Sequence, residues 1–184
     1  MLAGMMVLAA DGMLVNLADT EANRAMSGST GTADDSSPFP QLRILALTAR
    51  AGRAMPGAIL GGASAGEQTL LRRLAKRRPD LFAGRVTCSG RNFPGYDLIT
   101  AILDAGGHVI ARMKEGISPD FADGEDRGWL PDGSRLSWLN APSGREQDRL
   151  PVRVTGHNAI MPSGDEAGEV SGSKHSDPSG VTLL

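Results

Sequence analysis

Residues 88–98 read Cys-Ser-Gly-Arg-Asn-Phe-Pro-Gly-Tyr-Asp-Leu, and the reading of this stretch decides the fold. It follows a short β-like run at 84–87, Gly-Arg-Val-Thr. It leads into residues 96–105, where Tyr96, Leu98, Ile99, Ile102 and Leu103 recur at helical spacing before Gly106 and Gly107 close the helix. A strand that ends in a turn and feeds a helix is the repeating unit of α/β folds. Its loop is where such folds present reactive side chains, because a rigid scaffold holds an exposed loop in place.

Toward the N-terminus, residues 5–10 are a continuous apolar run that stops at Asp11-Gly12. A short apolar run bounded by a turn signal predicts a strand buried on both faces, with Asp11 at its carboxyl end in an Asp-Gly turn. Residues 27–37, SGSTGTADDSS, predict a polar loop in which Asp34 and Asp35 are solvated turn residues rather than metal ligands. Residues 42–49 predict a strand, and residues 54–60 a weaker second one that Pro56, near its middle, demotes to an edge or a broken strand, the two joined as a hairpin through 50–53. Residues 61–69, GGASAGEQT, invite a phosphate-loop reading, but Glu67 stands where such a loop needs Lys. The segment predicts a helix start instead, capped by Ser64 with Glu67 completing a capping box, and with Leu70, Leu71 and Leu74 on the buried face. That helix carries Arg72, Arg73, Lys76, Arg77 and Arg78 before Pro79 ends it. Such a run suits the negative end of the helix dipole as a solvated face; its functional alternative is a patch that contacts phosphates.

Toward the C-terminus, residues 108–114 predict a strand in which His108 is an edge residue rather than a ligand. Residues 130–134, Leu-Pro-Asp-Gly-Ser, predict a turn, and 135–139 and 150–155 two further strands. Trp129 and Trp138 are expected to pack this region, with stacking on a DNA base as the alternative. Beyond Pro162 nearly every residue is small, polar or charged, which predicts a disordered tail over 163–184.

A chain of 184 residues can bury one domain-sized core, and with only 4% aromatic residues that core must be aliphatic. A net charge of −2 provides no global field toward nucleic acid, so any DNA contact must come from a local patch. The single cysteine, Cys88, excludes an internal disulfide and a cysteine-cluster zinc site. The apolar start lacks a basic leader region and is too short to span a bilayer, which takes roughly twenty residues. These features predict a soluble, cytoplasmic protein with no membrane partner.

Several segments, in order, resemble bacterial insertion-sequence transposases of the group named for insertion element four. They are the Asp11-Gly12 pair, Phe39-Pro40-Gln41-Leu42-Arg43, Gly66-Glu67-Gln68-Thr69-Leu70, Arg91-Asn92-Phe93-Pro94-Gly95-Tyr96-Asp97-Leu98 and Leu130-Pro131-Asp132-Gly133-Ser134. The resemblance covers roughly residues 5–162. It implies a ribonuclease H-like fold: a mixed sheet with flanking helices over 1–114, part of a β-rich insert over 115–162, and a core incomplete at its C-terminus. It implies DNA transposition, in which three carboxylates hold two magnesium or manganese ions about 4 Å apart for in-line displacement at phosphorus. Asp11 matches the first acid and would be a metal ligand. Gly90 stands where the second acid belongs, and the tyrosine-containing helix that carries the third is not matched, since Tyr96 is the only tyrosine. Met13, Ala18 and Glu21 also depart from the family pattern near the first acid.

The resemblance therefore implies a truncated transposase that is catalytically inactive and retains no metal. Its expected partner is element-end DNA, contacted through Arg72, Arg73, Lys76, Arg77, Arg78 and Arg91. The alternatives are a non-catalytic remnant that binds DNA or an intact transposase, and a relic without function.

Overall fold

The first strand, β1 (Met6–Asn16), runs without a break through Asp11 and Gly12. The expected Asp-Gly turn is not formed, and the reason is long-range. Strand β2 (Gln41–Ala49) pairs antiparallel with β1 from Leu8 opposite Ala49 to Asn16 opposite Gln41, so the ladder continues on both sides of the pair. Strand β3 (Gly57–Gly62) adds antiparallel to β2, beginning just beyond Pro56. On the other side of β1 lies β4 (Arg85–Ser89), parallel to it, and then β5 (His108–Ala111), parallel to β4.

In this computed structural model, residues 4–27, 38–112, 130–131, 134–155 and 181–182 are described. The expectations for Asp34 and Asp35, for Trp129 and for most of the tail lie outside these residues. Within 163–184, Val181–Thr182 forms a two-residue strand, β8. A hairpin of β6 (Arg135–Leu139) and β7 (Leu150–Val154) joins the sheet through it. The complete order is β3-β2-β1-β4-β5-β8-β7-β6, a mixed sheet in a mixed α/β fold.

Parallel strands cannot be joined by a tight turn, so a crossover must lie over a face of the sheet. Helix α2 (Glu67–Arg77) lies between β3 and β4, and helix α3 (Tyr96–Asp104) lies between β4 and β5. Their apolar faces close the core. Leu70, Leu71 and Leu74 of α2 and Leu98, Ile99 and Ile102 of α3 are buried together with Leu8, Leu45 and Leu47 of the sheet. Phe82, fully buried between α2 and β4, and Phe93, after β4, are the aromatic side chains of the core among the described residues. Gly106 adopts φ +74°, the left-handed conformation that ends α3, and the N–H groups of Gly106 and Gly107 close it onto the carbonyls of Leu103 and Ile102 at 2.8 and 2.9 Å.

The start of α2 differs from expectation. Gly66, in extended conformation, is its cap, and no side chain caps the helix. Glu67 is drawn elsewhere: its carboxylate lies 3.4 Å from Arg43 Nη1 on β2 and rests on Gly12, where a β-carbon would come within 2.5 Å of Glu67 Oε1. A short helix not expected from sequence, α1 (Glu21–Ser27), follows β1. Thr20 Oγ1 accepts the Asn23 N–H at 3.2 Å, and Arg24 forms two bonds to the Asp19 carboxylate at 2.5 and 2.7 Å. This pair holds the Asp19 carboxyl below its ordinary range, chiefly through the hydrogen bond. The pair is exposed, so its contribution to stability is small.

A polar contact between the helical layer and the β6–β7 hairpin is the Tyr96 hydroxyl donating to the Asp148 carbonyl. Replacing Tyr96 with Phe removes the donor and leaves the ring. The expected loss is about 1 kcal/mol, read as a lower urea midpoint at unchanged slope. An unchanged midpoint would mean that water serves both groups equally well in the variant.

Candidate functional site

Side-chain parity along β1 places the chemistry. Leu8 and Ala10 are buried on the helical side, and the β-carbon position of Gly12 touches Glu67 of α2. Asp11, one residue out of phase, therefore points to the opposite face, and it is exposed. The same face carries Val7, Ala9 and Met13 of β1, Ile44 and Ala46 of β2, Leu60 of β3 and Cys88 of β4. It is a largely apolar surface, with Met13 58% and Leu60 58% exposed.

The parallel register brings the first two positions of interest together. Ala10 is opposite Ser89, so Asp11 and Gly90 directly follow the last pair of the β1–β4 ladder. The carbonyl of Gly90 accepts the N–H of Phe93 at 3.2 Å, which starts the turn into α3. Among the described residues, a β-carbon built on Gly90 meets nothing within 4 Å. The position is open, and it supplies no ligand atom.

Magnesium and manganese take oxygen ligands and need countercharge. At the junction Asp11 supplies a carboxylate, and its Oδ1 already accepts the Gly12 N–H at 2.9 Å. Asp97, the next acid along the chain from Gly90, is bound to Arg72 at 2.8 Å on the helical side of the sheet. Among the described residues, no group of three His, Cys, Asp or Glu side chains could hold a metal ion. The described residues do not fit a two-metal centre.

The basic run is split by its partners. Arg72 is paired with Asp97 at 2.8 Å, and Arg78 with Asp80 at 2.9 and 2.7 Å, which holds the Asp80 carboxyl below its ordinary range. Arg73, Lys76 and Arg77 are exposed and stand at spacings of three and four, the neighbours of one helical surface. They belong to α2, which packs on the face opposite Asp11. Arg91 is exposed on the turn after β4. The structure thus sets Asp11 beside Gly90 and on the sheet face opposite the basic helix. The first turn of that helix reaches the Gly90 turn through Gln68 Nε2, which donates to the Asn92 carbonyl at 2.7 Å.

Two features are not evident from the sequence. One is the Arg43–Glu67 pair, whose side chains are only 20% and 18% exposed, with Arg43 Nε buried and without a hydrogen-bond partner among the described residues. Its one signal is the Glu67 that no phosphate loop would tolerate. The other is a pocket of about 220 Å³ at the amino ends of α2 and α3, lined by Gln68, Thr69, Arg72, Gly95, Tyr96 and Asp97 among others. The Arg72–Asp97 pair already neutralises its charges.

No known protein-family model matches the chain, and no curated protein sequence does either. No helix among the described residues is long and apolar enough to cross a membrane.

Cys88 tests the description of the open face. Burial pushes its thiol pKa up, with Arg50 pulling weakly the other way. The reactive form is the thiolate, so alkylation by iodoacetamide near neutral pH is expected to be slower in the folded chain than in urea. The rise in rate should come above the ordinary thiol range. Equal rates in the folded and unfolded chains would show that the thiol is neither shielded nor shifted.

Proposed function

We propose that this chain is a ribonuclease H-like transposase domain whose metal centre has been lost and whose remaining activity is DNA binding. The observation that carries the reading is the junction of β1 and β4. The order β3-β2-β1-β4-β5, with three antiparallel strands followed by two parallel ones, supports a ribonuclease H-like core. Within it, Asp11 and Gly90 stand side by side, the arrangement that the first two acids of such a transposase require for a shared metal. The inherited reaction is strand cleavage and transfer at element ends. With glycine in the second place no metal-dependent step follows, and none is assigned to this chain.

The separation of the two faces favours the binding role. Duplex laid against Arg73, Lys76 and Arg77 lies on the helical side, away from Asp11, so this contact does not present a phosphate to the carboxylate. Binding of this kind is electrostatic and independent of base sequence, and it weakens as released counterions become abundant.

Fluorescence anisotropy of a labelled duplex at a series of salt concentrations tests this reading. Affinity should fall linearly with salt on logarithmic axes. Joint replacement of Arg73, Lys76 and Arg77 by Ala should make the slope shallower by about 0.9 for each phosphate that these side chains neutralise. Arg72→Ala, which removes a residue committed to Asp97, should change it little. Absence of binding at low salt would reject the proposal, and metal-dependent cutting of the duplex would reject the loss of the centre.

Gly90→Asp tests the junction itself. The open space around the position predicts a folded variant in which a second carboxylate stands beside Asp11. Manganese binding, followed by electron paramagnetic resonance, should strengthen in Gly90→Asp and return to its original level when Asp11→Asn is added, with DNA left uncut throughout. No gain in manganese binding would mean that the two side chains do not converge.

A further inference from the structure

The outer edge of β3 presents backbone N–H and C=O groups that no described strand pairs, because β3 ends the sheet and bonds only to β2. Proteins normally protect such an edge with charge, a bulge or a covering segment. Here residues 54–66 contain no charged side chain. Pro56 lies before the strand, and the Ser27 carbonyl of α1 accepts the Ala63 N–H at 2.8 Å just beyond it. The span between them, Gly57 to Gly61, is left open among the described residues. Leu60 is 58% exposed there, and Met55, just upstream, is 63% exposed.

We propose that β3 is a dimerisation edge, and that its partner is β3 of a second copy of this chain, paired antiparallel about a two-fold axis. Three features favour a copy of itself over another partner. First, the strand is uncharged, so a copy meets no like charge, whereas a charged partner gains nothing from it. Second, side-chain parity fits. Gly57, Ile59 and Gly61 face the helices, against Leu81, the core and Leu70, while Ala58 and Leu60 face the open side. An axis through Ile59 sets Ala58 of each copy opposite Leu60 of the other, small against large on the open face, while on the helical face Gly57 stands opposite Gly61 and the two Ile59 side chains meet at the axis.

Third, such a pair closes. The opposite edge of the described sheet, β6, carries exposed Leu136 and Trp138, and a β3–β6 contact between copies would be head-to-tail and would repeat without limit. The isologous pair instead joins two sheets into one and consumes both unprotected edges.

Sedimentation equilibrium of the full chain over a range of concentrations is the test. The wild type should show a monomer–dimer equilibrium. A variant carrying Ala58→Lys and Leu60→Lys places like charges directly opposite across the axis and should stay monomeric. So should a variant carrying Ala58→Glu and Leu60→Glu. An equimolar mixture of the two should recover a dimer, because the opposed charges then match. Both substitutions lie on the exposed face, and circular dichroism confirms that each variant is folded. Leu136→Lys, on the other edge, should dimerise like the wild type. A wild type that is monomeric at every concentration, a mixture that stays monomeric, a dimer abolished by Leu136→Lys, or species growing beyond the dimer would each overturn the proposal.

Discussion

The parallel pairing of β1 with β4 is the constraint on which the rest of the structure depends. Two neighbouring strands that run the same way oblige the chain to travel back over the sheet before it can start the second. Between them the chain makes the β2–β3 hairpin and then α2, and after β4 it repeats the manoeuvre with α3. Both helices lie on one face, and the core is formed where Leu70, Leu71, Leu74, Leu98, Ile99 and Ile102 meet Leu8, Leu45 and Leu47. The same pairing sets the site. A shift of one residue between β1 and β4 would part Asp11 from Gly90 and would also turn Leu8 out of the core, so junction and core are specified together.

One-sided packing divides the surface into two chemical territories. The helical side carries the cations and their pairs: Arg72 with Asp97, Arg78 with Asp80, and the exposed Arg73, Lys76 and Arg77. Arg43 and Glu67 lie deeper on that side, with Glu67 against Gly12, where a side chain would displace the Glu67 carboxylate. The other side is apolar, with Asp11 near its end. An exposed apolar surface beside an unprotected edge strand is an uncommon combination in a monomer, and sheet extension through β3 removes part of it from water.

Most of the core elements are legible in the sequence, because they rest on local patterns. The Leu stripe of α2, the spacing from Tyr96 to Leu103 and the glycines after α3 all speak locally, whereas the strand expected over 54–60 around Pro56 begins only after it, at Gly57. The failures share a physical cause. The Asp-Gly signal is overridden by the β2 ladder, which continues beyond it for the rest of β1. The Ser64 capping box loses its acid to Arg43, 24 residues away in sequence. Helix α1 has no apolar stripe; it rests on the Thr20 cap, the Asp19–Arg24 pair and its contact at Ala63. At the candidate site, the types of residue can be read, but their arrangement cannot. That Asp11 and Gly90 adjoin follows from a register, and that the basic run faces away from them follows from the parity of β1 against α2.

Under the proposed reading, that arrangement explains how a metal centre can be lost while the fold is kept. Gly90 lies where a side chain would meet open space, so the fold neither requires a side chain there nor gains packing from one. Asp11 is exposed, and its neighbours Ala10 and Gly12, not Asp11 itself, touch the helical side. Exchanging either residue costs the core little, in contrast to a buried Leu, whose truncation would cost about 2–5 kcal/mol. The cations of α2 are coupled to the fold only through the helix that carries them, and its stability comes from its buried leucines. Core, junction and basic surface can therefore change independently. A chain with glycine at position 90 keeps the sheet, the helix and the charge on that helix, which is all that the proposed electrostatic attachment to DNA would require.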